Sequence, residues 1–127
     1  MLWTFKCFIP PSGQNQMSDW YAETPPKAQA KFDKILDFLR DNPNNLWPSE
    51  WFKPLTGYDG IFEIRYKIRN ILYRPLGFFG PNKEEFTFLV PAREQGNILI
   101  PRDAPALAVE RRKMIERGEA KANECDF

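Results

Sequence analysis

At 127 residues with 43% apolar side chains, the chain is long enough for one domain that buries about two-thirds of its unfolded surface, and too apolar for disorder. Lys and Arg number 18 against 17 Asp and Glu, so a net charge of +1 excludes a globally basic nucleic-acid coat. Histidine is absent, which removes His-based acid–base catalysis, Ser-His-Asp and Cys-His nucleophiles and every His-ligated metal site. Neither a metal nor a cofactor is expected.

Leu2 to Ile9 alternates loosely and reads as a first strand. Its apolar run is broken by Lys6 and Pro10-Pro11, which predicts neither a signal peptide nor a membrane span. Ser18 before Asp19-Trp20-Tyr21 suits a short helical turn. From Pro25-Pro26 the chain shows its clearest helix, with Ala28, Phe32, Ile35, Leu36 and Leu39 on one stripe and Asp41-Asn42-Pro43 as the stop. Its basic residues form a solvated face, on which Lys31 and Lys34 are the candidates for tracking a nucleic-acid backbone. Pro48 to Lys53 can make one helical turn, and Trp47, Trp51 and Phe52 read as a satellite hydrophobic cluster.

Phe62 to Ile68 alternates without a break, with Phe62, Ile64, Tyr66 and Ile68 on one face and Glu63, Arg65, Lys67 and Arg69 on the other. A turn at Arg69-Asn70, where Asn tolerates positive φ, pairs Ile68 with Ile71 and sets Arg65 opposite Arg74. Like charges across a ladder are unfavourable, so the pair is either splayed into water or holds an anion between them. Residues 61–75 carry four cations against one carboxylate, a local positive field of the kind a site creates. Glu63 reads as a charge balancer, and Tyr66 and Tyr73 as packing residues.

The third strand, Ile71 to Phe79, contains Pro75 and is expected either to bulge there or to have its partnerless side at that position. Phe86 to Val90 follows and continues toward Gln95. Asp103 caps a last helix with Pro105 in its first turn and Gly118 as its end, leaving Glu119 to Phe127 as a frayed tail. Cys7 and Cys125 have neither metal spacing nor a framework pattern, and are expected as free thiols in a reducing cytoplasm. The order predicts an α+β domain: a small antiparallel sheet with its N-terminal and C-terminal helices packed on one face.

Phe52-Lys53-x-Leu55, the Gly60-Ile61-Phe62-Glu63-Ile64-Arg65 strand, Tyr73-Arg74 and Phe86 to Val90 occur in a telling order. They are followed by a Pro-x-x-Ala stretch (Pro101 to Ala104, or Pro105 to Ala108) and Arg111-Arg112-Lys113. Over roughly residues 20–117 this pattern resembles the RelE/ParE/HigB superfamily of bacterial toxins, most of all its phage-derived HigB-like branch. The resemblance implies one RelE-like toxin domain over residues 1–118 with a flexible tail at 119–127. It also implies a cytoplasmic, metal-free endoribonuclease that cleaves mRNA on the ribosome and is held by a cognate antitoxin of helix-turn-helix type. Arg65 and Lys67 fall on the family's basic central-strand pair, Arg74 on the arginine of its Tyr-Arg pair and Arg93 on a later-strand arginine. Lys67, Arg74 and Arg93 are therefore the expected catalytic residues, and Arg65, Arg69, Lys31 and Lys34 the expected RNA contacts. Two features depart from the pattern. Val90-Pro91-Ala92-Arg93-Glu94 replaces a Gly-Phe-x-Lys-Lys run, and Gly96 to Ile100 lacks a tyrosine. The alternatives are a ParE-like gyrase inhibitor without a catalytic cluster, or a degenerate toxin-like binding protein.

Overall fold

A computed structural model describes residues 2–127. Thr4–Ile9 forms β1, and Asn15 then caps α1 (Gln16–Glu23) by accepting a hydrogen bond from the Ser18 amide at 3.1 Å. Helix α2 (Pro26–Arg40) buries the expected stripe, Ala28, Phe32, Ile35, Leu36 and Leu39. Each of its larger apolar side chains contributes about 1.5–3 kcal/mol by leaving water. The segment after it is a single 3-10 turn at Asn44–Leu46, then the expected single turn at Pro48, whose carbonyl accepts from the Trp51 and Phe52 amides at 3.0 Å, and it runs into a short strand, β2 (Phe52–Pro54).

The central alternating stretch is two strands. Phe62–Ile64 (β3) and Tyr66–Ile68 (β4) belong to different sheets, and Arg65 is the residue between them. The next segment is divided at the same level, into β5 (Ile71–Tyr73) and β6 (Leu76–Phe79), with Arg74-Pro75 at the break. Proline has no amide to give a ladder, and its carbonyl instead accepts from the Ile64 amide at 3.1 Å. The expected irregularity is thus a change of sheet at Pro75, followed by a register shift between Leu76 and Gly77. Ile68 does pair with Ile71. The positive φ of that turn falls on Arg69 (58°), not on Asn70.

Glu85–Val90 forms β7, Arg93–Gln95 β8 and Ile98–Ile100 β9, the last two joined by Gly96-Asn97 with both φ positive, as a tight two-residue hairpin requires. Helix α3 (Ala104–Glu116) follows Asp103, whose side chain makes no capping bond, and Gly118 closes it at φ 76°. The segment expected to fray is a strand, β10 (Lys121–Glu124), antiparallel to β1 and locked to it by a Cys7–Cys125 disulfide with Cα atoms 5.3 Å apart. The expectation of free thiols is therefore corrected. The chain brings the two cysteines together across a separation of 118 residues, a pairing no local spacing announces.

The larger sheet has the order β10-β1-β7-β6-β3-β2, with β1 and β7 parallel and the other neighbours antiparallel. The smaller sheet has the order β4-β5-β8-β9 and is antiparallel throughout. The fold is α+β, with more strands than the sequence predicts. Its helices lie on both sides rather than one. Helices α1 and α2 pack over Phe5, Ile64, Phe86 and Phe88. Helix α3 packs over Phe8, Ile61, Leu76 and Val90 on the other side. No helix among the described residues is long and apolar enough to cross a membrane.

Candidate functional site

Glu63 is the least exposed charged residue of the central segment, at 3%. Its strand alternation puts it on the α3 side, beside Ile61, opposite Lys53 on β2 and Leu76 on β6. A carboxylate there needs cationic partners, since an unpaired buried charge is very costly. It has two. Arg74 Nε donates to Glu63 Oε2 at 2.7 Å, and Arg65 Nη1 lies 3.3 Å from Glu63 Oε1. Arg74 also donates through Nη1 to Glu94 Oε1 at 2.8 Å. The anion between the two arginines is the protein's own.

The sheet break makes this geometry possible. Arg65 and Arg74 are excluded from the strand pairings on either side, and their amides donate to the carbonyls of Trp51 (2.7 Å) and Ala92 (2.8 Å). Their side chains then meet Glu63 of the larger sheet, and Arg74 reaches on to Glu94 of the smaller one.

Directly paired residues share a face, so the register of the smaller sheet sorts its side chains. Lys67, Leu72, Glu94 and Leu99 form one row, on the side where Leu99 packs toward α3. Lys67 is exposed there and has no carboxylate partner among the described residues. Tyr66, Tyr73, Arg93 and Ile100 form the row on the opposite face, toward α1 and α2. The structure therefore brings Arg65, Lys67 and Arg74 to one face and does not bring Arg93 to them. Arg93 lies among Trp20, Pro25, Ile71 and Tyr73.

Arg69 is exposed at the hairpin tip. Lys31 sets its ammonium 5.3 Å from the centre of the Trp51 ring, and Lys34 is exposed on α2. Because α2 packs on the Tyr66 side, with Phe32 and Tyr66 ring centres 5.7 Å apart, these lysines lie across the sheet from Lys67. Tyr66 and Tyr73 are stacked at 5.1 Å and buried, as packing residues are. Burial, reinforced by the neighbouring Tyr73, pushes the Tyr66 phenol far up, so it stays protonated.

Sequence reasoning missed Glu94. The only signal for it lies in the register of β5 with β8, which aligns Leu72 with Glu94 and carries Arg74 past it. Comparison of the chain with protein-family models, with curated proteins and with solved structures gave no match.

Proposed function

We propose that this chain is a toxin of the RelE/ParE/HigB kind that cleaves mRNA on the ribosome. The observation that supports the reading is the α3-side face of the central hairpin, where exposed Lys67 shares a face with two arginines paired to one buried carboxylate. Three cations at positions 65, 67 and 74 outnumber Glu63 and Glu94, which leaves the patch positive. In the proposed step the ribose 2′-oxygen attacks the adjacent phosphorus. Lys67, in its neutral form, accepts the hydroxyl proton and returns it to the 5′-oxygen as the P–O5′ bond breaks, leaving a cyclic 2′,3′-phosphate and a 5′-hydroxyl. Arg74 and Arg65 stabilise the charge on the phosphorane, forks of fixed geometry suiting its equatorial oxygens. Arg93 has no place at that phosphate. The cognate antitoxin is an acidic, helix-rich protein that covers part of the basic face.

A second reading is a non-catalytic inhibitor or binding protein of the same fold. It is favoured by Arg74, which already spends two of its hydrogen bonds on carboxylates. Induced expression separates the two. Cleavage on the ribosome arrests protein synthesis and cuts transcripts within translated frames, whereas gyrase poisoning breaks DNA and leaves mRNA intact. Lys67→Ala is the informative variant, because an exposed side chain can be removed without disturbing the fold. It should reduce cleavage by about a hundredfold, the typical contribution of a general base. Undiminished cleavage by folded Lys67→Ala would sink the assignment.

A further inference from the structure

The face of the smaller sheet opposite Lys67 carries a groove that the proposed chemistry does not use. One part, of about 570 Å³, lies between Pro25, Pro26 and the β4–β5 hairpin, with Ile68, Ile71 and Tyr73 along it. A second part, of about 240 Å³, shares Pro25, Ile71 and Tyr73 and runs on to Arg93 and Gln95. The two adjoin at those shared residues. The sheet register extends the apolar row beyond them, because Ile68 pairs with Ile71, Ile71 with Gln95 and Gln95 with Ile98, which is 46% exposed.

The charges around this floor are one-sided. Lys27 and Arg69 stand at one end and Arg93 at the other, and none has a carboxylate partner among the described residues. Glu23 is the one acid along the groove. We propose that this groove binds an acidic amphipathic segment of a partner protein, with apolar anchors on Ile68 and Ile71 and carboxylates facing Lys27, Arg69 and Arg93. The floor selects against the alternative polyanion. Isoleucine and proline offer apolar side chains a surface but give bases little to stack on; of the two aromatics along the groove Tyr73 is buried, and half-buried Trp20 alone could take a base. The volume is that of a pocket able to take several apolar side chains, and carboxylates on flanking turns fit helix-in-groove recognition. The inference is independent of the proposed cleavage step, because Lys67, Arg65 and Arg74 lie outside the groove.

The test uses the full chain and a fluorescent synthetic peptide of four helical turns, with Leu on one stripe and Glu elsewhere. Controls are the same peptide with Lys for Glu, and oligouridylate. The Glu peptide should bind, weaken as salt rises, and weaken about tenfold or more in Ile71→Asp and in Arg69→Glu with Arg93→Glu, the usual loss for a central anchor. Circular dichroism confirms that each variant is folded. The exposed pair at 69 and 93 decides the matter if Ile71→Asp does not fold. Equal binding of the Lys peptide, displacement by oligouridylate that the same variants abolish, or no binding of the Glu peptide would each overturn the proposal.

Discussion

Glu63→Gln is expected to destabilise the domain by about 2 kcal/mol, a magnitude that follows from the one hydrogen bond its carboxylate accepts and the one further ion pair it makes. The bond from Arg74 Nε, at 2.7 Å, joins two ionised groups and stands at the upper end of about 1.5–3 kcal/mol, against the lower end for the same guanidinium on a neutral acceptor. The glutamine carbonyl can still accept from Arg74, so only the difference is lost there. Its amide then faces Arg65, donor against donor, and the 3.3 Å contact worth about 0.5–1 kcal/mol disappears. Complete isolation of a buried charge would cost about 3–5 kcal/mol. Two features hold the loss below that limit: Arg74 keeps Glu94, and the Arg65 side chain is 29% exposed. For a domain of this size about 2 kcal/mol corresponds to a Tm lower by roughly 6–10 °C. Urea denaturation and calorimetry on the parent, Glu63→Gln and Glu94→Gln provide the comparison. Glu94 makes one bond and is more exposed, so its variant should lose about half as much as Glu63→Gln. If Glu63→Gln costs less than about 0.5 kcal/mol, or Glu94→Gln costs more than it does, the buried carboxylate is not what organises the arginines.

Gly77→Ala should cost about 3 kcal/mol or prevent folding, because an added Cβ would lie 2.5 Å from the Thr87 carbonyl and from the Phe86 ring; thermal melts and soluble yield report it. Reduction, or Cys7→Ser, should cost about 2–5 kcal/mol and speed amide exchange in β10, while thiol titration of the unreduced, denatured chain should find no free thiol. Alkaline pH should destabilise through Tyr66. Its phenol keeps its proton in the fold above about pH 10, where the unfolded chain has lost it, so stability falls there by about 1.4 kcal/mol per pH unit and is unaffected by this group below. Tyr66→Phe should flatten that slope in urea titrations across the alkaline range.

Helix α2 was legible almost to the residue because its apolar stripe and its proline boundaries agree. The two faces of the central segment were legible for the same reason, and Ile68 pairs with Ile71 as the turn predicts. What alternation does not reveal is a change of sheet. Phe62 to Ile68 keeps its period of two through Arg65 even though the ladder stops there, and Pro75 was the one local sign that anything breaks. The position of Arg93 was hidden for a related reason. Its face depends on whether β8 meets β5 through Leu72 or through Tyr73, and a shift of one residue reverses it. Strand β10 was illegible because Lys121-Ala122-Asn123-Glu124 carries almost no apolar pattern. Its place on the sheet comes from pairing with β1 and from the distant cysteine.

The arginines at the sheet break also bear on how any variant of the site should be read. Arg74 bonds Glu63 in one sheet and Glu94 in the other, so its guanidinium fastens the two sheets at the level where both central segments cross. Arg74→Ala would leave Glu63, 3% exposed, with Arg65 as its one cationic partner. Loss of activity in that variant would therefore mix lost phosphate binding with a shifted sheet and a destabilised fold. Lys67 carries no such double duty, being exposed on a paired strand with Leu72 opposite. An effect of Lys67→Ala on cleavage, with the melting temperature unchanged, would belong to chemistry or RNA contact alone. The comparison that separates structure from function at this face is thus Lys67→Ala against Arg74→Lys. The lysine at position 74 keeps the charge but cannot reach both carboxylates with a fork. It should lower stability by about 1 kcal/mol or more, and a loss of cleavage would assign the fork to the phosphorane where Glu94→Gln, which breaks the same tie between the sheets, keeps its cleavage.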